Sequence, residues 1–181
     1  MITKKQVKIG NSNFIIRSLR LNDENLLKKF FSSFSPSMKK WYSSSLFNDD
    51  IAEKICRKKD KSLKAVVILH GKKIVGYCVL FFGLRKWEKH RYNNKFEEDK
   101  ACTVAPCLCD EFQNIGLGTE MFLYIIDISR YYDKSVILLW SGVVLKNKQA
   151  VHFYKKLNFK INRKWLHPIA HVMSYDMYLE I

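Results

Sequence analysis

Apolar positions along this chain recur in two periods, one suited to strands and one to helices. Residues 14–19, Phe-Ile-Ile-Arg-Ser-Leu, read as a strand edged by polar positions. Asn22 or Asp23 is then placed to cap a helix carrying Leu26, Leu27, Phe30, Phe31 and Phe34 at helical spacing. Ser35-Pro36-Ser37 breaks it, and helical patterning resumes over 38–46 and 49–59. Strands follow at 63–70 and 74–84, joined as a hairpin through His70-Gly71-Lys72-Lys73. The charged stretch 85–99 is expected to be a loop, and 101–109 a fourth strand. Beyond Gly116-Leu117-Gly118 a helix places Leu117, Met121, Tyr124, Ile125, Ile128 and Tyr132 on one face. Val136, Ile137, Leu138 and Leu139 run without alternation, as in a strand covered on both sides. A helix over 147–157 aligns Ala150, Phe153, Tyr154 and Leu157, and strands at 159–165 and 170–179 end the chain. The order β α α β β β α β α β β describes a mixed α/β fold.

Composition narrows the class. The 181 residues suit a single domain spanning 1–181, and 48% hydrophobic with 14% aromatic content excludes a disordered basic tail. No apolar run approaches the roughly 20 residues that span a bilayer. Lys4 and Lys5 are followed by no apolar block, so no signal peptide and a cytoplasmic location are expected. The cysteine count, five, is odd, which favours reduced thiols, and Cys107-x-Cys109 is too closely spaced for a zinc knuckle; no metal is expected. Lys and Arg outnumber Asp and Glu 32 to 17, a net charge of +15. Such an excess either coats the surface with solvated lysines or serves an anionic partner. Arg85, Lys86, Lys89 and Arg91 interleave with Trp87 and Tyr92 as in a nucleic-acid-binding loop, although an ordinary surface loop is the favoured reading.

Two motifs carry the chemistry. Gln113-Asn114-Ile115-Gly116-Leu117-Gly118-Thr119 lies between a strand and a helix, where unpaired N–H groups and the helix dipole attract phosphate. It spends two of only seven glycines. Met121 stands where a dinucleotide fingerprint needs its third glycine, and no Gly-Lys-Ser/Thr makes it a Walker loop. The second motif is Asn147-x-x-Ala150-x-x-Phe153-Tyr154-x-x-x-x-Phe159. Taken alone, Asn147 is a helix cap and Tyr154 a core tyrosine as readily as functional residues.

Together and at this separation, the Gln-x-x-Gly-x-Gly and Asn-x-x-Ala-x-x-Phe-Tyr motifs resemble the GNAT superfamily of acyl-CoA-dependent N-acetyltransferases. The resemblance implies a mostly antiparallel sheet of about seven strands flanked by about four helices. It implies that Gln113, Asn114, Ile115, Gly116, Leu117, Gly118 and Thr119 wrap the pyrophosphate of acetyl-CoA through their main chain. Leu108 and Cys109 would end the strand that pairs with the pantetheine arm and polarises the thioester carbonyl. Asn147 would sit near the pantetheine, and Tyr154 would be the acid that protonates the leaving thiolate, as a hydroxyl of ordinary pKa about 10 can. The acceptor is then a primary amine, attacked directly in a ternary complex without a covalent enzyme intermediate.

Three positions depart from the family pattern. Asn158 replaces the usual glycine before the last Phe, a change that a left-handed helix cap tolerates. Ile115 stands where a basic residue is common, leaving phosphate charge to the main chain and to lysines such as Lys148. Cys102 occupies the place of a glutamate base, with Glu97, Glu98, Asp99, Glu111 and His171 as weak substitutes. The charge favours an anionic acceptor over a polycationic one. Aminoacyl-tRNA and ribosomal-protein acetylation are alternatives within the family, and a non-catalytic module binding acyl-CoA or nucleic acid is the alternative outside it. A monomer or a homodimer is expected, with no membrane partner.

Overall fold

The computed structural model describes residues 4–41, 47–57, 62–167 and 171–181. The chain divides into two compact units, Met1–Leu80 with Pro106–Asp127 and Phe81–Ala105 with Ile128–Ile181. Among the described residues there are nine strands and six helices. Strand pairing is mostly antiparallel, with a parallel pair formed by residues 101–104 and 136–139. This is the expected mixed, largely antiparallel α/β fold, with more elements than the sequence pattern suggests.

The first unit begins with β1 (Lys5–Ile9) and β2 (Ser12–Ser18), joined through Gly10 at φ +56°. β1 escapes the pattern because it is an edge strand, half-exposed throughout, with lysines that discourage further pairing. β2 pairs next with β3 (Leu63–His70), which neighbours β4 (Lys73–Phe82). Asp23 stands at the N-terminus of α1 (Glu24–Ser32) without capping it through its side chain. Its carboxylate instead receives both Arg17 Nη atoms, at 2.6 and 2.8 Å, and the Arg20 N–H at 2.7 Å. Pro36 does not merely break the helix. It opens α2 (Pro36–Trp41), where a missing N–H is no loss, and the Ser35 hydroxyl accepts from Met38 N–H at 3.1 Å. α3 spans Asp49–Cys56, capped by Asn48; the expected helical residues 42–46 and 58–59 lie outside the described residues. Leu27, Phe30, Phe31, Phe34 and Tyr77 are buried, and edge-to-face contacts run from Phe31 to Phe34 and to Tyr77.

β5 (Ala101–Leu108) begins in the second unit, where it pairs in parallel with β6 (Val136–Leu139) from Ala101 to Val104. All four β6 residues are buried, as the unbroken apolar run requires. β9 (Met173–Glu180) lies beside β6 and also pairs with β7 (Val143–Val144) and β8 (Lys160–Leu166). Residue 170, expected to begin this strand, is outside the described set.

The expected loop 85–99 contains a helix, α4 (Lys86–Arg91), and this is the main correction. Its buried residues are Glu88 and Arg91, so no apolar periodicity announces it. Glu88 reaches back to the Arg85 N–H at 2.9 Å, as the acidic member of a capping box does. Arg91 pairs with Asp176, itself fully buried, and Arg163 Nε meets the other Asp176 oxygen at 3.3 Å.

Gly142 leaves β6 for β7 at φ +73°, and a Cβ there would lie 2.4 Å from the Tyr175 carbonyl oxygen. The obstacle is main chain, which cannot rotate away. Gly142→Ala should therefore destabilise the fold by about 2–4 kcal/mol, read as a lowered urea midpoint.

Candidate active site

The strand-to-helix turn after β5 lies in the first unit and is anchored at several points. Cys109 donates its N–H to Val75 O at 2.9 Å, continuing the edge of β5. A 3-10 turn, Asp110–Phe112, follows. Phe112 packs edge-on against Phe14 (5.7 Å) and His70 (5.4 Å), holding the turn to β2 and β3. Asp110 accepts from the Ser35 hydroxyl, and Gln113 Nε2 donates to Leu108 O at 3.2 Å and to Asp110 Oδ1 at 3.0 Å. The side chain of Gln113 thus laces the turn closed. Gln113 opens the motif for this structural reason as well as any functional one.

From there the backbone takes two left-handed steps, at Asn114 (φ +61°) and Gly116 (φ +91°), and enters α5 (Leu117–Tyr131). Asn is among the few side-chain residues that adopt this conformation readily. No atom lies within 4 Å of where a Gly116 Cβ would stand, so the surface there is open. Asn114, Ile115 and Gly116 are exposed, whereas Leu117 is fully buried and fixes the first turn. Gly118 and Thr119, both half-buried, complete it. Thr119 and Glu120 N–H groups return to Gly116 O at 3.0 and 3.2 Å. The N–H groups of Leu117 and Gly118 precede the helical ladder and face no i−4 partner within the helix. Leu108, Cys109 and Gln113 to Thr119 are therefore contiguous parts of one turn.

Asn147 and Tyr154 belong to the second unit, at opposite ends of α6 (Lys148–Lys156). Asn147 caps this helix, its Oδ1 accepting from Ala150 N–H at 3.1 Å. At the other end, Phe159 N–H bonds Tyr154 O at 3.0 Å and Asn158 N–H bonds Lys155 O at 2.9 Å, with Asn158 at φ +65°. This is a Schellman cap, in which the residue beyond the left-handed one packs on the last helical turn. The Phe159 ring does so, 5.3 Å from that of Tyr154. Phe153 adds a second ring contact at 5.3 Å, and Tyr154 is 9% exposed. The Phe-Tyr-x-x-x-x-Phe spacing is the sequence trace of that cap.

Cys102, in the place of a glutamate, is buried against the Ser129 hydroxyl at 3.3 Å, and burial pushes its thiol up to about 11. Burial also raises the Cys109 thiol, against a smaller opposing effect of Ser33. Neither is an activated nucleophile. Glu97, Glu98, Asp99, Glu111 and His171 are all exposed, and Glu98 pairs with Lys89. The acid that the sequence reading overlooked is Glu88. It is 1% exposed, and burial holds its carboxyl above the usual range against the opposing Arg85 N–H and charge. The buried Thr103 hydroxyl lies close enough to favour its ionised form yet outside ordinary hydrogen-bond geometry. Only the Arg85-x-x-Glu88 spacing signals it.

The model of the acetyltransferase (GNAT) family matches residues 27–159, which include both motifs. The chain belongs to the GNAT family. Solved structures share its fold at low identity. A GNAT acetyltransferase from Streptococcus pneumoniae is 18% identical, covering 93% of this chain and 99% of its own, with a TM-score of 0.73. Ribosomal-protein-S5-alanine acetyltransferase from Vibrio fischeri is 13% identical over 99% and 97%, with a TM-score of 0.77. An aminoglycoside acetyltransferase in complex with coenzyme A is 14% identical over 92% and 94%, with a TM-score of 0.70. A comparison with curated protein sequences found no match. Among the described residues of this GNAT chain, no helix is long and apolar enough to cross a membrane.

The cap around Asn158 yields a direct check on the cradle of Tyr154. Asn158→Gly should be neutral or stabilising by a few tenths of a kcal/mol, whereas Asn158→Ala should cost about 1 kcal/mol, both measured by thermal unfolding.

Proposed function

We propose that this protein is an N-acetyltransferase that moves the acetyl group of acetyl-CoA onto a primary amine. The observation that carries the reading is the turn at Gln113–Thr119, where left-handed steps at Asn114 and Gly116 open the main chain at the N-terminus of a fifteen-residue helix. Such a terminus suits the pyrophosphate of acetyl-CoA, because helix-start N–H groups and the dipole both favour negative charge. The open space at Gly116 supports the fit: a ligand can approach the backbone where a side chain would stand. With Ile115 in the loop, the phosphate charge is met by the main chain rather than by a cation from the motif itself.

Leu108 and Cys109 end the strand proposed to align the pantetheine arm. The main-chain donor of Cys109 is engaged by Val75, and Leu108 O is engaged by Gln113, so the donor for the thioester carbonyl is another main-chain N–H of this segment. Asn147, whose Oδ1 is held by its capping bond, keeps its amide NH2 as a donor toward the pantetheine. Tyr154 is proposed as the general acid. In the reaction the neutral amine attacks the thioester carbonyl, the C–S bond breaks, the thiolate takes a proton from the phenol, and the proton released by the attacking nitrogen restores the phenol. A ring gripped by Phe153 and Phe159 suits that role, since proton transfer depends on a fixed direction of approach.

The test is acetyl-CoA turnover, followed with a thiol reagent across a panel of primary amines. Tyr154→Phe should lower kcat by about 10²-fold or more while the KM for acetyl-CoA changes less than about threefold. Turnover by Tyr154→Phe equal to wild type would exclude the acid role. Gly116→Ala, strained but unobstructed, should retain a folded state within about 1–2 kcal/mol of wild type and raise the acetyl-CoA KM about tenfold. Tight coenzyme A binding without turnover on any amine would favour the binding-module alternative.

A further inference from the structure

The second unit buries a cation whose hydrogen-bonding capacity is only partly used. Arg91 is 6% exposed, and its Nη2 pairs with Asp176 Oδ1. Its Nε and Nη1 are buried without a hydrogen bond of ordinary geometry, although the Tyr92 hydroxyl lies close enough to interact with the guanidinium. The indole Nε1 of Trp165 is likewise buried and unpartnered. The two groups are neighbours: the Arg91 Cζ lies 4.2 Å from the Trp165 ring centroid and 5.0 Å from that of Trp87. All of these orphaned groups are donors. Leaving buried donors unmet is costly, and more so for a charged one. Asp176 meets only the Nη2 of Arg91, its second oxygen facing Arg163 Nε at 3.3 Å.

The local charge says what would satisfy them. Asp176 stands against two guanidinium groups, Arg91 and Arg163, leaving one positive charge over; Arg85 and Glu88 pair with each other at 3.5 Å and add none. His167, its ring 5.1 Å from Trp165, has its pKa lowered by burial and then by the charge of Arg91, so it is neutral at pH 7.5. One surplus charge, several N–H donors and two flat apolar rings match a monoanion with an apolar body better than a phosphate dianion. Trp87, 39% exposed, and the Arg163 side chain, 41% exposed, place the cluster just under the surface.

We propose that Arg91, Trp165 and Trp87 form a binding site for a small carboxylate with an apolar or aromatic body, its oxygens received by the free N–H groups of Arg91 and Trp165. Benzoate is the probe, with benzamide as its neutral isostere and inorganic phosphate as the competing oxyanion. In the ¹⁵N-labelled full chain at pH 7.5, each of the four tryptophans gives one indole N–H signal, and Trp165→Phe identifies its own by loss. Benzoate should shift the Trp165 signal saturably, benzamide should leave it in place, and phosphate should act more weakly. By calorimetry, Arg91→Lys should weaken benzoate binding by about tenfold or more. Should that variant unfold, Trp165→Phe, which keeps an aromatic ring but lacks the indole N–H, should still weaken binding severalfold. A Trp165 signal unmoved by benzoate, an equal response to benzamide, a stronger one to phosphate, or unchanged affinity in Trp165→Phe would each overturn the site. No acetyl-CoA enters this experiment, so its outcome is independent of the acetyl-transfer reading.

Discussion

The turn out of β5 is the constraint around which the first unit is organised. A strand that passes directly into a helix must reverse its backbone within a few residues while leaving the first helical N–H groups uncovered. Main chain alone cannot do this cheaply. Here the reversal rests on three devices: the Gln113 amide, which ties Leu108 and Asp110 together, and left-handed backbone at Asn114 and at Gly116. Phe112 fastens the turn to Phe14 and His70, and the burial of Leu117 sets the helix axis. The chemistry proposed for the loop is thus a consequence of local folding. The same groups left unpaired by helix geometry are those available to a phosphate.

The second unit solves a different problem, the burial of charge. Asp176 is fully buried, and an isolated carboxylate there would be prohibitively costly, so Arg91 and Arg163 converge on it from α4 and β8. Gly142 admits the Tyr175 carbonyl to the space a side chain would take, bringing β7 against β9 beside this group. Near the same element, Glu88 caps α4 and is buried with Arg85 as its partner. A helix whose inner face is charged survives because each charge finds a counter-charge. The donors left over on Arg91 are the residue of that solution.

Within the GNAT family, sequence identity has fallen below one residue in five while the fold persists across more than nine-tenths of the chain. Several residues of the two motifs have demanding backbone or capping roles. Gly116 and Asn158 take left-handed conformations, Asn147 caps a helix, and Phe159 closes a Schellman cap on Tyr154. Asn158 shows how the chemistry tolerates exchange: the requirement is for positive φ, which asparagine meets nearly as well as glycine. Cys102, expected from the family resemblance to be the place of a glutamate, is instead packed against the Ser129 hydroxyl.

The α/β class, the strand-to-helix turn at Gln113–Thr119 and the capping roles of Asn147 and Asn158 are legible along the chain, because each rests on short-range periodicity or local backbone preference. The sequence also carried the unbroken burial of β6 in four consecutive apolar residues. It did not disclose β1 or β7, one a half-exposed edge strand and the other two residues long, nor α4, whose buried face is Glu88 and Arg91. Of these, β7 and α4 exist through partners distant along the chain, β9 for β7 and Asp176, eighty-five positions away, for Arg91, whereas β1 pairs with the adjacent β2 and lacks only a buried face. Burial of a charge has no periodic signature, since its stability comes from one remote counter-charge rather than from a repeated apolar face. Tertiary structure alone therefore decided where the cations go inward.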